Sequence, residues 1–178
     1  MAKFVKTPFT VPVHDLMHSP GDERALERDI TLPERWGEGL AWVPADSIIR
    51  VDGRFESIHE GILVTADVTT LAEAECGRCL EPFTLDVEVE IQELFAYSLD
   101  EAFDYEVHDD HVDLEPLIRD AVVLALPFQP VCTPDCPGLN PETGTRRVSA
   151  PEDDDVPLDP RWAELSKFTA SDKTDEPA

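Results

Sequence analysis

The sequence predicts an α+β fold, a mainly antiparallel sheet covered by one main helix, with a cysteine knuckle at a hairpin tip. Between residues 47 and 98 apolar and polar residues alternate over long runs, the period of strands with one buried and one wet face. The period then changes in "DLEPLIRDAVVLALPFQP", where apolar residues recur at helical spacing. Between the last two alternating runs stands "ECGRCLEPF", a tight thiol pair closed by a proline. Consecutive strands with short connections pair most simply as an antiparallel meander.

Residues 8–15, "PFTVPVHD", predict a short strand that Pro8 and Pro12 confine to an edge or an irregular start. "HSPGDER" is a turn, and "LERDITL" (26–32) alternates weakly as a strand. "PERWGEGLAWVPADS" is broken by Gly and Pro and predicts a loop whose Trp36 and Trp42 pack against the core. "SIIRVDGRFESI" then places Ile49, Val51 and Phe55 on one face. "EGILVTADVTTLAEAEC" does the same with Ile62, Val64, Ala66 and Val68. In "PFTLDVEVEIQELFAYS" the apolar face is Phe83, Leu85, Val87, Val89 and Ile91, with Thr84, Asp86, Glu88 and Glu90 opposite.

Residues 98–112 are acidic and predict a loop, with a partly extended segment as the alternative. In the helix that follows, Asp113 is the expected cap, and Glu115 and Pro116 suit a first turn. Leu117, Ile118, Ala121, Val122, Leu124 and Ala125 mark its apolar side, and Pro127 ends it. The expected organisation is a single domain over residues 1–142 and an acidic flexible linker over 143–157. A short helix is expected over 158–168, started at Pro160 with Trp162 and Leu165 facing the same way, and a disordered tail over 169–178.

Charge narrows the function classes. The 178 residues hold 14 Lys+Arg against 39 Asp+Glu, a formal net charge of -25. Such a surface repels phosphate backbones and attracts basic proteins, and it also keeps a small protein soluble. The first residues lack the continuous apolar run of a signal peptide, and no stretch approaches the ~20 apolar residues that cross a bilayer. A cytoplasmic protein is expected, with its thiols reduced.

The four cysteines fall as C-x2-C and C-x3-C. Two short-spaced pairs, one at a hairpin tip and one in a Pro/Gly-rich turn, can each present two thiolates to one ion, so Cys76, Cys79, Cys132 and Cys136 form a candidate zinc site. Gly77 lets the backbone bend towards the ion, and Arg78 offsets part of the thiolate charge. A thioredoxin-type role is disfavoured, because that motif opens a helix and this one follows a strand. The run His108-Asp109-Asp110-His111 has ligand chemistry but sits in an acidic loop, where a solvated charge run is the simpler account. No phosphate loop or Ser/His/Asp spacing stands out, and Arg146 with Arg147 is too little for an RNA groove. No catalytic constellation is found, and no enzyme is expected.

"CGRCLEPF", the acidic linker and "DLEPLIRDAVVLALPFQPVCTPDCPGLN", in that order, resemble the bacterial YceD family of large ribosomal RNA subunit accumulation proteins. "DLMHSPGDER" and "LDPRWAELSKF" are similar to parts of its actinobacterial branch. The resemblance spans most of residues 10–168. It implies a cytoplasmic, non-enzymatic protein of ribosome biogenesis that supports large-subunit rRNA accumulation. Many relatives continue the second pair as C-x3-C-x-G-L-C-x-x-C-G, whereas Asn140 and Thr143 stand at the later cysteine positions here, and Gly144 persists. If the family's metal uses that later pair, either Cys132 and Cys136 replace it in this chain or the site is vestigial. With the charge, the resemblance points to a basic ribosomal protein of the large subunit, or a pre-ribosomal particle, as partner. The alternative is a zinc-knuckle protein that binds RNA directly.

Overall fold

The structure, a computed structural model, describes residues 6–17, 19–98 and 104–149. Its elements in chain order are β1 (Thr10–Pro12), β2 (Glu23–Thr31), β3 (Ala41–Trp42), β4 (Ile48–Ser57), β5 (Gly61–Glu75), β6 (Pro82–Ala96), β7 (Tyr105–Glu106), β8 (His111–Asp113) and α1 (Glu115–Ala125). The main sheet runs β2-β4-β5-β6-β7, with β3 also pairing with β5, and β1 pairs with β8 in a separate two-stranded sheet. All pairings are antiparallel except that of β6 with the short β7. Among the described residues the fold is therefore mostly antiparallel sheet with one helix.

The alternating runs become the strands they predict. β5 and β6 are each 15 residues long and pair in unbroken register from Gly61↔Ala96 to Glu75↔Pro82. At about 3.4 Å per residue this ribbon is about 50 Å long, and the thiol turn closes its far end. Val64, Ala66 and Val68 on β5 and Val87 and Ile91 on β6 are buried, while Glu88 and Glu90 are exposed. Gly53, in the middle of β4, lets that strand pass close to β5: a Cβ there would stand 2.1 Å from the Thr65 carbonyl oxygen. The extended core also takes in Phe9 and Trp36, whose rings stack at 5.5 Å.

Several expectations are corrected or sharpened. "PERWGEGLAWVPADS" is not a plain loop, because Trp36 pairs with Val43 and β3 adds to β5; its glycines and prolines hid short pairings. Trp36 is nonetheless fully buried, and the half-buried Trp42 lies under the Arg35 guanidinium at 4.4 Å. The acidic 98–112 segment contains β7 and β8, separated by a tight turn in which Asp109 and Asp110 take left-handed φ values of 47° and 62°. Two such residues suit a two-residue hairpin turn, and Asp tolerates this region better than most side chains do. In α1 the cap is Leu114, without a side-chain bond, although Asp113 Oδ1 accepts the Glu115 N–H at 3.1 Å.

Leu117, Ile118 and Val122 enter the core, and α1 contacts β6. Leu124, expected on the apolar side, is 85 % exposed. The expected linker beyond residue 149, the helix at 158–168 and the tail at 169–178 lie outside the described residues.

Candidate metal centre

The turn between β5 and β6 is built by its own backbone. The Cys76 N–H donates to the Glu81 carbonyl at 3.0 Å, and the Leu80 N–H donates to the Cys76 carbonyl at 2.8 Å. Leu80 adopts a left-handed φ of 59°, which folds the chain back after Cys79. The second pair sits after α1, in a turn that the Cys136 N–H closes onto the Thr133 carbonyl at 3.0 Å.

Backbone and guanidinium bonds then sew the two turns together. Gly77 donates to the Pro130 carbonyl at 2.8 Å, and Leu139 donates to the Arg78 carbonyl at 3.1 Å. The Arg78 guanidinium donates to the carbonyls of Pro134, at 2.9 Å, and Cys136, at 3.3 Å. Gly138 has a φ of 73° and passes so near Arg78 that a Cβ would stand 3.2 Å from the Arg78 carbonyl oxygen. The required meeting of hairpin tip and post-helix turn is thus fixed by main-chain contacts.

All four predicted cysteines converge. Their Sγ atoms lie within 4.8 Å of one another, with Cys76–Cys136 at 3.7 Å and Cys79–Cys132 at 3.8 Å. Cys76, Cys79 and Cys136 are buried and Cys132 is half-buried. A disulfide requires about 2.05 Å, and all four thiols are free. A tetrahedral ion with bonds of about 2.3 Å would hold its sulfurs about 3.8 Å apart, so the donor set and two of its spacings suit a metal ion.

The thiols differ in acidity. Burial pushes the Cys76 thiol up, but the backbone around Cys132, Cys79 and Arg78 outweighs it and brings the thiol from 9.0 down to about 6. The Arg78 N–H is 3.4 Å from the Cys76 sulfur. Cys79 moves the other way: hydrogen bonding from the Glu81 backbone favours its thiolate, but burial and the Cys76 and Cys136 thiols raise it above its ordinary value.

Arg146 is the residue that the sequence pattern did not assign to this site. It pairs with the Glu81 carboxylate, which is the main cause of its raised pKa; burial opposes that shift, and the Cys79, Cys132 and Cys136 thiols add to it. Arg146 therefore faces the charge of the cluster, while Arg78 spends its guanidinium bonds as a clamp on carbonyls. The turn signal "GLNPETGTR" between Cys136 and Arg146 could have returned that arginine to the knuckle. Within it Asn140 donates to the Thr145 carbonyl, and its side-chain oxygen accepts the Glu142 N–H at 2.9 Å. Asn140 and Thr143 thus build a hydrogen-bonded turn, and Cys132 and Cys136 supply the second thiol pair. Residues 143–147, placed by sequence in the linker, take part in this turn.

The His108–His111 run forms the β7–β8 turn, where the two histidines bridge each other and His14 Nδ1 meets the Asp110 carboxylate at 3.1 Å. Among the described residues the metal-sized group of ligands is the cysteine cluster.

The wet face of the sheet carries a second concentration of charge. The Cα registers Glu27↔Asp52, Asp52↔Asp67 and Asp67↔Glu90 set four exposed carboxylates side by side across β2, β4, β5 and β6. Directly opposed side chains have Cβ atoms about 5 Å apart. The next row is Asp29, Arg50, Thr69 and Glu88, in which Arg50 Nε meets the Asp29 carboxylate at 3.2 Å.

The profile of the family described as "Large ribosomal RNA subunit accumulation protein YceD" matches residues 64–169. The uncharacterized protein Rv2926c of Mycobacterium tuberculosis is 41% identical over 170 residues, covering 92% of this chain and 82% of the relative. An uncharacterized protein of Mycobacterium leprae is 36% identical over 173 residues, covering 93% and 80%. The uncharacterized protein YlbN of Bacillus subtilis is 28% identical over 132 residues, covering 71% and 77%. No solved structure matches the chain. A profile match over more than half of the sequence, with mycobacterial relatives similar along most of it, shows that this chain belongs to the YceD family.

Proposed function

We propose that this chain is a cytoplasmic, non-enzymatic accessory protein of ribosome biogenesis. It supports accumulation of large-subunit ribosomal RNA by binding a basic ribosomal protein, free or in a pre-ribosomal particle. Family membership supplies the process, and the four-carboxylate row across the wet face is the observation that carries the mode of action. Like charges set directly opposite in a sheet are destabilising, so Glu27, Asp52, Asp67 and Glu90 gain most from a partner that brings positive charge. A Lys/Arg-rich protein does so, and the field of a chain at -25 speeds its approach, whereas RNA phosphates meet repulsion.

The metal is zinc, held by Cys76, Cys79, Cys132 and Cys136. A closed four-thiolate site leaves no open position for a substrate, so the ion's contribution is structural. The residues around it do the rest: Arg78 clamps the second turn, and Arg146 and the backbone N–H groups offset thiolate charge.

The test is a binding titration of the full chain, at rising salt, against basic large-subunit ribosomal proteins and against fragments of large-subunit rRNA. The expected result is binding to a ribosomal protein that weakens as salt screens it, with a Debye length of about 8 Å at physiological ionic strength. Replacing Asp52 and Asp67 with Asn should weaken it further. Tight binding to naked rRNA with no ribosomal-protein partner would overturn this function and assign the knuckle to direct RNA contact.

A further inference from the structure

Beside the cysteine cluster lies an apolar groove of about 400 Å³, lined mainly by Leu40, Ala41, Val123, Leu126, Pro127 and Phe128. Both walls are fastened to the knuckle end of the β5–β6 ribbon. On one side the Leu40 carbonyl accepts the Glu75 N–H at 2.8 Å, and on the other the Pro130 carbonyl accepts the Gly77 N–H at 2.8 Å. Phe128 on the groove is 91 % exposed, and Leu124, in the last turn of α1, is 85 % exposed. An apolar hollow whose rim carries a phenylalanine left this bare is the kind of surface that marks a docking site.

We propose that this groove is the docking site of the chain's own segment 158–168, "LDPRWAELSKF", seated through Trp162, Leu165 and Phe168. The chain's path supports this occupant. The described part ends at Ser149, just after the turn that Arg146 pins to Glu81 and Arg147 pins to the Gly138 carbonyl. The remaining residues therefore depart from the knuckle itself. The groove wall begins at Gln129, one residue before Pro130 and about 4 Å along the chain, and the stretch from Ser149 to Leu158 reaches about 30 Å when extended.

Charge selects the same segment. "PEDDDVP" before it is acidic and is repelled by a body this negative. Residues 158–168 balance Asp159 and Glu164 against Arg161 and Lys167, and the groove rim offers Glu38 to a cation. Trp162, Leu165 and Phe168 recur every three residues, which gathers them on one side of a helix. The family profile runs to residue 169 and so takes in the whole segment. A tether this short supplies an effective concentration on the order of 1 mM, enough to keep occupied a groove whose affinity for the free segment is only about 0.1 mM.

The proposal is independent of the partner proposed above. It is tested by hydrogen exchange on the full chain, on a chain with Trp162→Ala and Leu165→Ala, and on Phe128→Ser, with Leu126→Ser as a second groove variant. In the unaltered chain, amides of 123–129 and of 158–168 should exchange about tenfold slower than in the variants, from the ratio of tether concentration to affinity. The loss must be reciprocal: changing the segment exposes the groove, and changing the groove frees the segment. Amides in the middle of β5 report that the fold is intact. Equal exchange in all chains overturns the proposal. So does protection that disappears on tenfold dilution, which would assign the groove to a second copy of the chain.

Discussion

Phe55 of β4 and Ile62, Val64 and Val68 of β5 are buried in one continuous core with Trp36 from a loop and Ile118 from the helix. The knuckle at the ribbon's tip buries Cys76, Cys79 and Cys136, with Phe83, Cys132 and Leu139 against them. The first region rests on apolar area spread over many side chains, so each neighbour supports the next. The second has little apolar area and depends on a few backbone hydrogen bonds and on its four converging thiols. The difference teaches where each region fails: the sheet through a cavity, the knuckle through its ligands.

The largest effect should come from the sheet. Phe55 is fully buried in β4, and Phe55→Ala should cost about 3–5 kcal/mol, a large part of the 5–15 kcal/mol that holds a typical domain. Urea unfolding should show the midpoint falling for the whole chain, knuckle included. Glu88→Lys, on the wet face, should stay within about 0.5 kcal/mol of the parent. Similar losses from both would mean that the two faces of the sheet have been assigned wrongly.

Cys79→Ser should separate the regions. Native-purified protein should carry close to one zinc per chain, and the variant close to none, because three thiolates leave the tetrahedron open. With metal at a hundredfold its Kd, the lost linkage is about 3 kcal/mol. Strand signal in circular dichroism should survive, since β5 and β6 pair over 15 residues below the turn. Metal content unaffected by the substitution would rule out the cluster as the site.

These two outcomes also mark what the sequence made legible. Period-2 alternation showed β4, β5 and β6, since a half-buried strand writes its facing directly into residue order. It could not show β3 or β7, where only two residues pair and no period can accumulate. Cysteine spacing named the four thiols, each pair being a local turn. Arg146 stayed hidden, because its approach depends on the turn through Asn140 and on the salt bridge to Glu81, a residue 65 positions away. Leu124 was misplaced for a related reason. It lies one heptad beyond Leu117, but periodicity alone does not say where along a helix the packing stops.

A smaller effect should appear in metal-free protein as pH changes. In the folded chain Cys76 ionises near about 6, against 9.0 for an ordinary thiol. A depressed pKa contributes stability that is fully present above 9.0 and is lost as pH falls through about 6. Cys79 is raised instead, so it is protonated in both states over this window and does not oppose the trend. Chelator-treated protein should therefore melt at a lower temperature at pH 5.5 than at pH 8, and Cys76→Ser should flatten that difference. An equal slope in the variant would place the pH dependence elsewhere, for example in the exposed carboxylates.

The smallest effect concerns the row Glu27, Asp52, Asp67 and Glu90, where sheet geometry holds like charges together. Asp67 stands between Asp52 and Glu90, so it meets a like charge on either side. Asp67→Asn removes both repulsions and leaves the apolar face untouched, so the chain should gain about 0.2–1 kcal/mol. Salt should reveal the origin of that gain. Raising ionic strength to physiological levels shortens the Debye length to about 8 Å, which weakens repulsion between exposed neighbours. The parent should therefore gain more stability from salt than the variant, and the gap between them should narrow. A loss of stability in Asp67→Asn would mean that the carboxylate makes a favourable contact on the folded face, and the row would no longer be the unrelieved charge that calls for a basic partner.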